Sequence, residues 1–233
     1  LLYYEGTVSD ITERKLAQQA LELQKVQTER LLLNILPQSI ATRLKAGETP
    51  IADQFERVSV LFADLVGFTN FSAQQTPVEL VEILNAIFSE FDRLAEKHRL
   101  EKIKTIGDAY MVVGGLPVPR LDYDEAIAQM ALDMLAGINR LNTQTKQAFQ
   151  VRIGINIGTV IAGVIGKSKF IYDLWGDTVN VASRMESSGM PGKIQVSAAT
   201  YECLKDRFDF EERGIIEVKG KGEMLTYWLK GRH

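Results

Sequence analysis

The sequence predicts an α+β fold in which strands and helices alternate β-α-β-β-α-β, and three observations carry that prediction. Val58 to Ala63 (VSVLFA) is apolar toward both faces, as a central strand is. Glu101 to Gly115 (EKIKTIGDAYMVVGG) holds two β-prone runs split by Ile106-Gly107-Asp108, which reads as a hairpin. Two long amphipathic stretches and a further strand, Val151 to Ile157 (VRIGINI), complete the alternation. The result is the split βαβ pattern of a ferredoxin-like sheet with helices on one face.

Composition bounds the chemistry. The chain has 233 residues, 45% of them hydrophobic, enough for one sizeable core and an appendage. A net charge of −3 recommends neither nucleic acid nor an anionic membrane as a partner. One cysteine, Cys203, excludes an intrachain disulfide and a thiolate cluster. Two histidines, His98 and His233, exclude a multi-histidine site, so a catalytic metal must be held by carboxylates. Oxygen ligands favour a hard ion such as Mg²⁺ or Mn²⁺. No run reaches the roughly 18 apolar residues of a membrane span and no signal peptide opens the chain. The expectation is a soluble, cytoplasmic fragment without membrane contact.

In chain order, Leu1 to Gly6 (LLYYEG) is strand-like and, together with the adjoining TVSDITERK, resembles the exit of a PAS-type sensor, giving a first segment of residues 1–10. From Ile11 to about Leu36 helix formers run without glycine or proline. Leu16, Ala20, Leu23 and Gln27 fall at coiled-coil spacing, which fits a two-stranded parallel signalling stalk; a single helix folded back on the body is the alternative. Pro37 breaks the run, and PQSIATRLKAG reads as a short second helix, so 11–56 is a helical connector. Arg57 is expected to open the globular domain, 57–233. Its first strand ends at Asp64, followed by Leu65-Val66-Gly67-Phe68-Thr69, a turn whose amides could meet phosphate oxygens. Thr76-Pro77-Val78-Glu79 is a capping box that opens a helix to about His98. A second helix covers Asp124 to Leu141, and Gly158 to Gly166 is a glycine-spaced strand or a tight turn.

Four places carry chemistry. Lys104 and Asp108 sit at the hairpin tip, where a local salt bridge competes with a ligand-facing role. In FIYDLWGDTVNVASRME, Asp177 is a plausible helix cap, and Asn180 and Arg184 stand one turn apart among small residues. That pair is either a solvated face or a ligand site. Asp173 interrupts the apolar Tyr172-Leu174 stretch. Lys219-Gly220-Lys221-Gly222, before a final strand Leu225 to Leu229, is an exposed hairpin or a polyphosphate cradle.

Residues 57 to 230 resemble the class III nucleotidyl cyclase catalytic domain. The motifs that carry the resemblance are VSVLFADLVGFT, EKIKTIGDAYMVVGGLP, RIGINIGTVIAGVIG, LWGDTVNVASRME and VKGKGEMLTYWL. RLLLNILPQSIATRLKAG similarly looks like a cyclase transducer segment. The resemblance implies that Asp64 and Asp108 hold two divalent ions, Mg²⁺ or Mn²⁺, and that Lys104 and Asp173 select adenine. It further implies that Asn180 orients the ribose, Arg184 stabilises the transferring phosphorus, and Lys221 binds the triphosphate, with Phe68 and Thr69 in the phosphate turn. The implied reaction is ATP to 3′,5′-cyclic AMP and pyrophosphate, in a homodimer with shared sites, under an upstream sensor domain. Guanine-selective members carry glutamate and a small or thiol residue where this chain has Lys104 and Asp173. The alternatives are a guanylyl cyclase and a non-catalytic dimerisation module; the glycine turn of diguanylate cyclases is absent from GGLPVP.

Overall fold

Unbroken helix formers from Thr12 produce a 22-residue helix, α1 (Thr12–Leu33), in a computed structural model that describes residues 3, 6, 9–166 and 168–233. The predicted strand at Leu1 to Gly6 falls mostly outside those residues, as does much of the sensor-like exit. The chain divides into two units, residues 1–49 and 50–233. In the first, α1 ends three residues short of the expected Leu36, in a turn that includes Asn34 and Ile35. The cause is Pro37, whose ring disfavours helical backbone at the residue before it. No residue of α1 is buried, and Leu16, Leu23, Val26 and Leu31 are all exposed. α2 (Gln38–Lys45) comes next and is tied to α1 by Lys45 Nζ on Glu29, 2.6 Å away. No helix among the described residues is long and apolar enough to cross a membrane.

The second unit is built on β1 (Ala52–Leu65), so Arg57, expected to open the domain, lies inside a strand. Residues 58 to 63 of β1 are all buried, the mark of a strand covered on both faces. After it come α3 (Phe68–Ser72), α4 (Pro77–His98), β2 (Glu101–Ile106), β3 (Ala109–Gly114), α5 (Tyr123–Thr145) and β4 (Val151–Ile165). The strand order β2-β3-β1-β4, antiparallel throughout, is the predicted β-α-β-β-α-β arrangement. Thr76 forms the expected capping box with Glu79 at the start of α4. Gly107 takes a φ of +63° in the two-residue turn between β2 and β3, a conformation that favours glycine. The segment Gly158 to Gly166, expected as either strand or turn, is strand up to Ile165.

β5 (Ile171–Trp175) folds back on the far half of β4. Then come α6 (Asp177–Ser187), β6 (Ile194–Ser197), α7 (Ala198–Leu204), β7 (Phe208–Val218) and β8 (Gly222–Arg232), which extend the sheet to β4-β6-β8-β7. The main core lies on one face. Leu61, Ala63, Val112, Ile153 and Ile155 from the strands meet Ile87 and Phe91 of α4 and Ile127, Met130 and Met134 of α5. The expectation of helices on one face needs correcting, because α6 covers the other. At Gly154 of β4 an added Cβ would lie 1.9 Å from the backbone nitrogen of Glu186, so glycine lets α6 seat directly on the strand. Alternate residues of β4 face opposite ways, which puts Gly154 and Asn156 under α6 while Ile153 and Ile155 point to the main core. Buried Asn156 donates to the Thr178 carbonyl of α6 at 3.1 Å and accepts from Ser197 at 2.6 Å.

Candidate active site

Strand register brings two acids together. Asp64, next to last in β1, lies opposite Ala109 of β3, and Asp108 is the turn residue just before Ala109. Both side chains are half-buried. Burial, and then the charge of Asp108, raise the Asp64 carboxyl above the usual carboxylate range, against the opposing pull of Arg152. Two like charges that disturb one another are relieved by a cation between them. The donors are all oxygen, which suits a hard divalent ion completed by substrate phosphates and water. No cluster of three or more His, Cys, Asp or Glu forms a ready ligand cage among the described residues. The segment after Asp64, expected to be a turn through Thr69, already enters a helix at Phe68, the first residue of α3. The Phe68 ring is in the core and 6.0 Å from Phe71, so only its backbone can serve a ligand. The amides of Phe68 and the exposed Thr69 stand at the start of α3, where helical N–H groups lack internal partners.

The same register sets Arg152 of β4 opposite Asp64 on the other side of β1. Its Nη2 donates to Asp64 Oδ2 at 3.1 Å and its Nε to Glu186 Oε1 at 2.6 Å. The sequence reading missed both Arg152 and Glu186. Their signal lies in which residues face each other across strands, and a single run such as VRIGINI does not contain it.

A second pair joins the two ends of one strand path. Lys104 of β2 forms an ion pair with Asp173 of β5, and not with Asp108, which removes the local salt-bridge alternative. A bulge between Lys102 and Lys104 re-aims the lysine. Asp173 Oδ1 also accepts the amide of Leu174 at 2.9 Å. β2 and β5 are the two ends of the path β2-β3-β1-β4-β5, so their contact requires the sheet to curl.

The third group lies on α6. Asn180 and Arg184 are accessible at the surface and line a cleft of about 360 Å³ with Ser183, Lys219 and Lys221. Asp177 is not the cap: Gly176 holds that position, with a φ of +134°, and Asp177 is the first helical residue. The Asp177 carboxylate instead meets Lys221 Nζ at 2.5 Å. Lys219 shares the cleft and has no ion pair among the described residues, which makes it the freer of the two cations.

Comparison with known proteins gives one consistent result. Residues 51–231 match the family model described as the adenylate and guanylate cyclase catalytic domain. An adenylate cyclase of Mycobacterium tuberculosis is 49% identical over 217 residues, covering 93% of this chain and 49% of the relative. The guanylate cyclase soluble subunit beta-2 of Rattus norvegicus is 46% identical over 211 residues, covering 90% and 31%. The chain thus spans about half the length of the first of these curated relatives, and less of the second. Among solved structures, the guanylate cyclase domain of a Catenaria anguillulae protein in complex with GTP superposes with a TM-score of 0.75. It is 39% identical, with 78% of this chain and all of that one covered.

Proposed function

The chain belongs to the adenylate and guanylate cyclase catalytic-domain family, and from that premise we propose that it is an adenylyl cyclase, forming 3′,5′-cyclic AMP and pyrophosphate from ATP. The observation that carries adenine over guanine is the Lys104–Asp173 pair. A lysine can donate to N1 of adenine and an aspartate can accept from its 6-amino group. Guanine presents the reverse pattern, a donor at N1 and an acceptor at O6, and leaves both residues unmatched.

The remaining residues divide the work. Asp64 and Asp108 hold two divalent ions, Mg²⁺ or Mn²⁺, which when bound activate the ribose 3′-OH and neutralise phosphate charge. Asn180 orients the ribose, and Arg184 meets the charge that develops on the α-phosphate. Lys221, with Lys219 beside it, and the amides of Phe68 and Thr69 hold the outer phosphates.

Helix geometry favours a homodimer. On α6, Arg184 and Glu186 are two positions apart, about 200° around the axis. Glu186 points under the helix toward Arg152 and the acid pair, and Arg184 points out to solvent. One chain therefore offers its acids and its arginine in different directions, and a second copy supplies what each site lacks. Exposed apolar residues on β4 and β5, among them Ile161, Ile165, Ile171 and Trp175, suit such a contact. α1, with its exposed leucines, is the stalk that pairs with its copy and carries a signal from an upstream sensor. The test is turnover of ATP against GTP with Mg²⁺ or Mn²⁺, with Asp64→Ala as the control. The reading predicts cyclic AMP formation that the control lacks; preferential cyclic GMP formation would overturn it.

A further inference from the structure

Arg152 stands between two acids that hold it unequally. Its Nε lies 2.6 Å from Glu186 and its Nη2 lies 3.1 Å from Asp64. The Glu186 side chain is 11% exposed and that of Asp64 22%. Glu186 is also the more fixed of the two. Its backbone nitrogen sits over Gly154 with no room for a Cβ, so its position is set by the seating of α6 on the sheet. Asp64 is next to the end of its strand.

An arginine keeps its charge under all ordinary conditions, and its planar fork matches a carboxylate with two parallel hydrogen bonds. Left with Asp64 alone, Arg152 would occupy that carboxylate and compete with any cation for its oxygens. Glu186 takes the Nε and leaves one N–H on Asp64. We propose that Glu186 is a positioning residue that sets the divalent-metal affinity of the Asp64–Asp108 pair by holding Arg152 partly off Asp64. This inference rests on the reading that Asp64 and Asp108 hold the metal.

Glu186 also lies on the helix that carries Asn180 and Arg184. Any shift of α6 along the sheet moves Glu186, and with it the guanidinium beside the acids. The metal affinity of one half-site is thus tied to the placement of the helix that serves the other.

The experiment measures Mn²⁺ binding to the whole chain without nucleotide, from the loss of the free-ion paramagnetic resonance signal. Asp64→Ala should remove the binding. Glu186→Gln should weaken it by about tenfold, the scale on which outer partners tune metal ligands. In an Arg152→Gln background the same Glu186→Gln change should have little effect, because Glu186 acts through the arginine. Glu186→Asp, which keeps the charge but shortens the reach, should fall between; it carries the test if Glu186→Gln does not fold, as judged by circular dichroism. Binding unaltered by Asp64→Ala would sink the metal assignment and the inference with it. Binding that depends on Asp64 but ignores Glu186, or loses equal affinity with and without Arg152, would overturn the inference and leave the assignment standing.

Discussion

At the scale of single residues, the most informative pair is Lys104 and Asp173, which the sequence could name but not join. Their role in base selection was legible only as what the family resemblance implies; from the residues alone Lys104 reads as a charge at a hairpin tip and Asp173 as one in an apolar stretch. That they touch was not legible, since 69 positions separate them and the sheet must curl to bring them together. Lys104→Glu with Asp173→Cys should reverse the pattern facing the purine. ATP turnover should fall by about a hundredfold or more, with cyclic GMP formation appearing, because a site with unpaired polar groups rejects the wrong base strongly. Turnover of both nucleotides, measured by product chromatography, checks this; near-normal ATP turnover would remove the pair from base selection. Asp177 shows the opposite failure. Its position before an apolar run resembles that of a cap, yet Gly176 fills the cap position and Asp177 pairs with Lys221.

Elements were legible where the pattern was long. β1, α4, the β2–β3 hairpin, α5 and β4 are all marked by periodicity or capping residues. The short ones, α3 of five residues, β6 of four and α7 of seven, offer too few turns or alternations for a period to emerge. The seating of α6 was equally hidden, since a glycine in a strand does not announce what lies above it. Gly154→Ala should force α6 outward, because the atom in the way is backbone and does not rotate aside. We expect a loss of about 1–3 kcal/mol in stability and about a hundredfold in kcat, the scale of a 1 Å misplacement of catalytic groups. Denaturant unfolding and steady-state kinetics measure the two losses. In the hairpin, burial pushes the Glu101 carboxyl up from 4.5 to about 7. Between those values the folded chain keeps a proton that the unfolded chain has released, so stability falls as pH rises through that window. The total is roughly 3 kcal/mol for this one group. Urea unfolding at pH 5 and pH 8 should show that decline in the wild type and a flatter response in Glu101→Gln.

For the whole molecule, the central question is which groups share a substrate. Each chain contains every residue type the proposed reaction calls for, yet α6 turns Arg184 to solvent and Glu186 toward Arg152 beside the acids. The two-residue spacing of Arg184 and Glu186 is visible in the sequence, but only the direction of Glu186 makes it an argument. Asp64→Ala and Arg184→Ala should each be nearly inactive alone. Mixed in equal amounts and allowed to exchange, about half the dimers pair one mutant with the other, and each of those has one whole site of two. Activity should recover to about a quarter of wild type. No recovery after demonstrated exchange would place both residues in one chain's site. Inserting one residue near Gln24 in α1 turns the downstream chain by about 100°, whereas seven nearly restore the phase. A stalk that signals by rotation loses regulation with the first insertion and keeps it with the second.

The contact of Lys104 with Asp173 is also a latch. It fastens the two ends of a curled strand path and gives each charged group a partner. If the pair reads the base as proposed, an incoming purine would have to part the two and satisfy both. Recognition is then the small difference between one matched set and another, so the base should add little to how tightly a nucleotide is held. It should add much to which nucleotide is kept, because a purine that suits only one side strands the other.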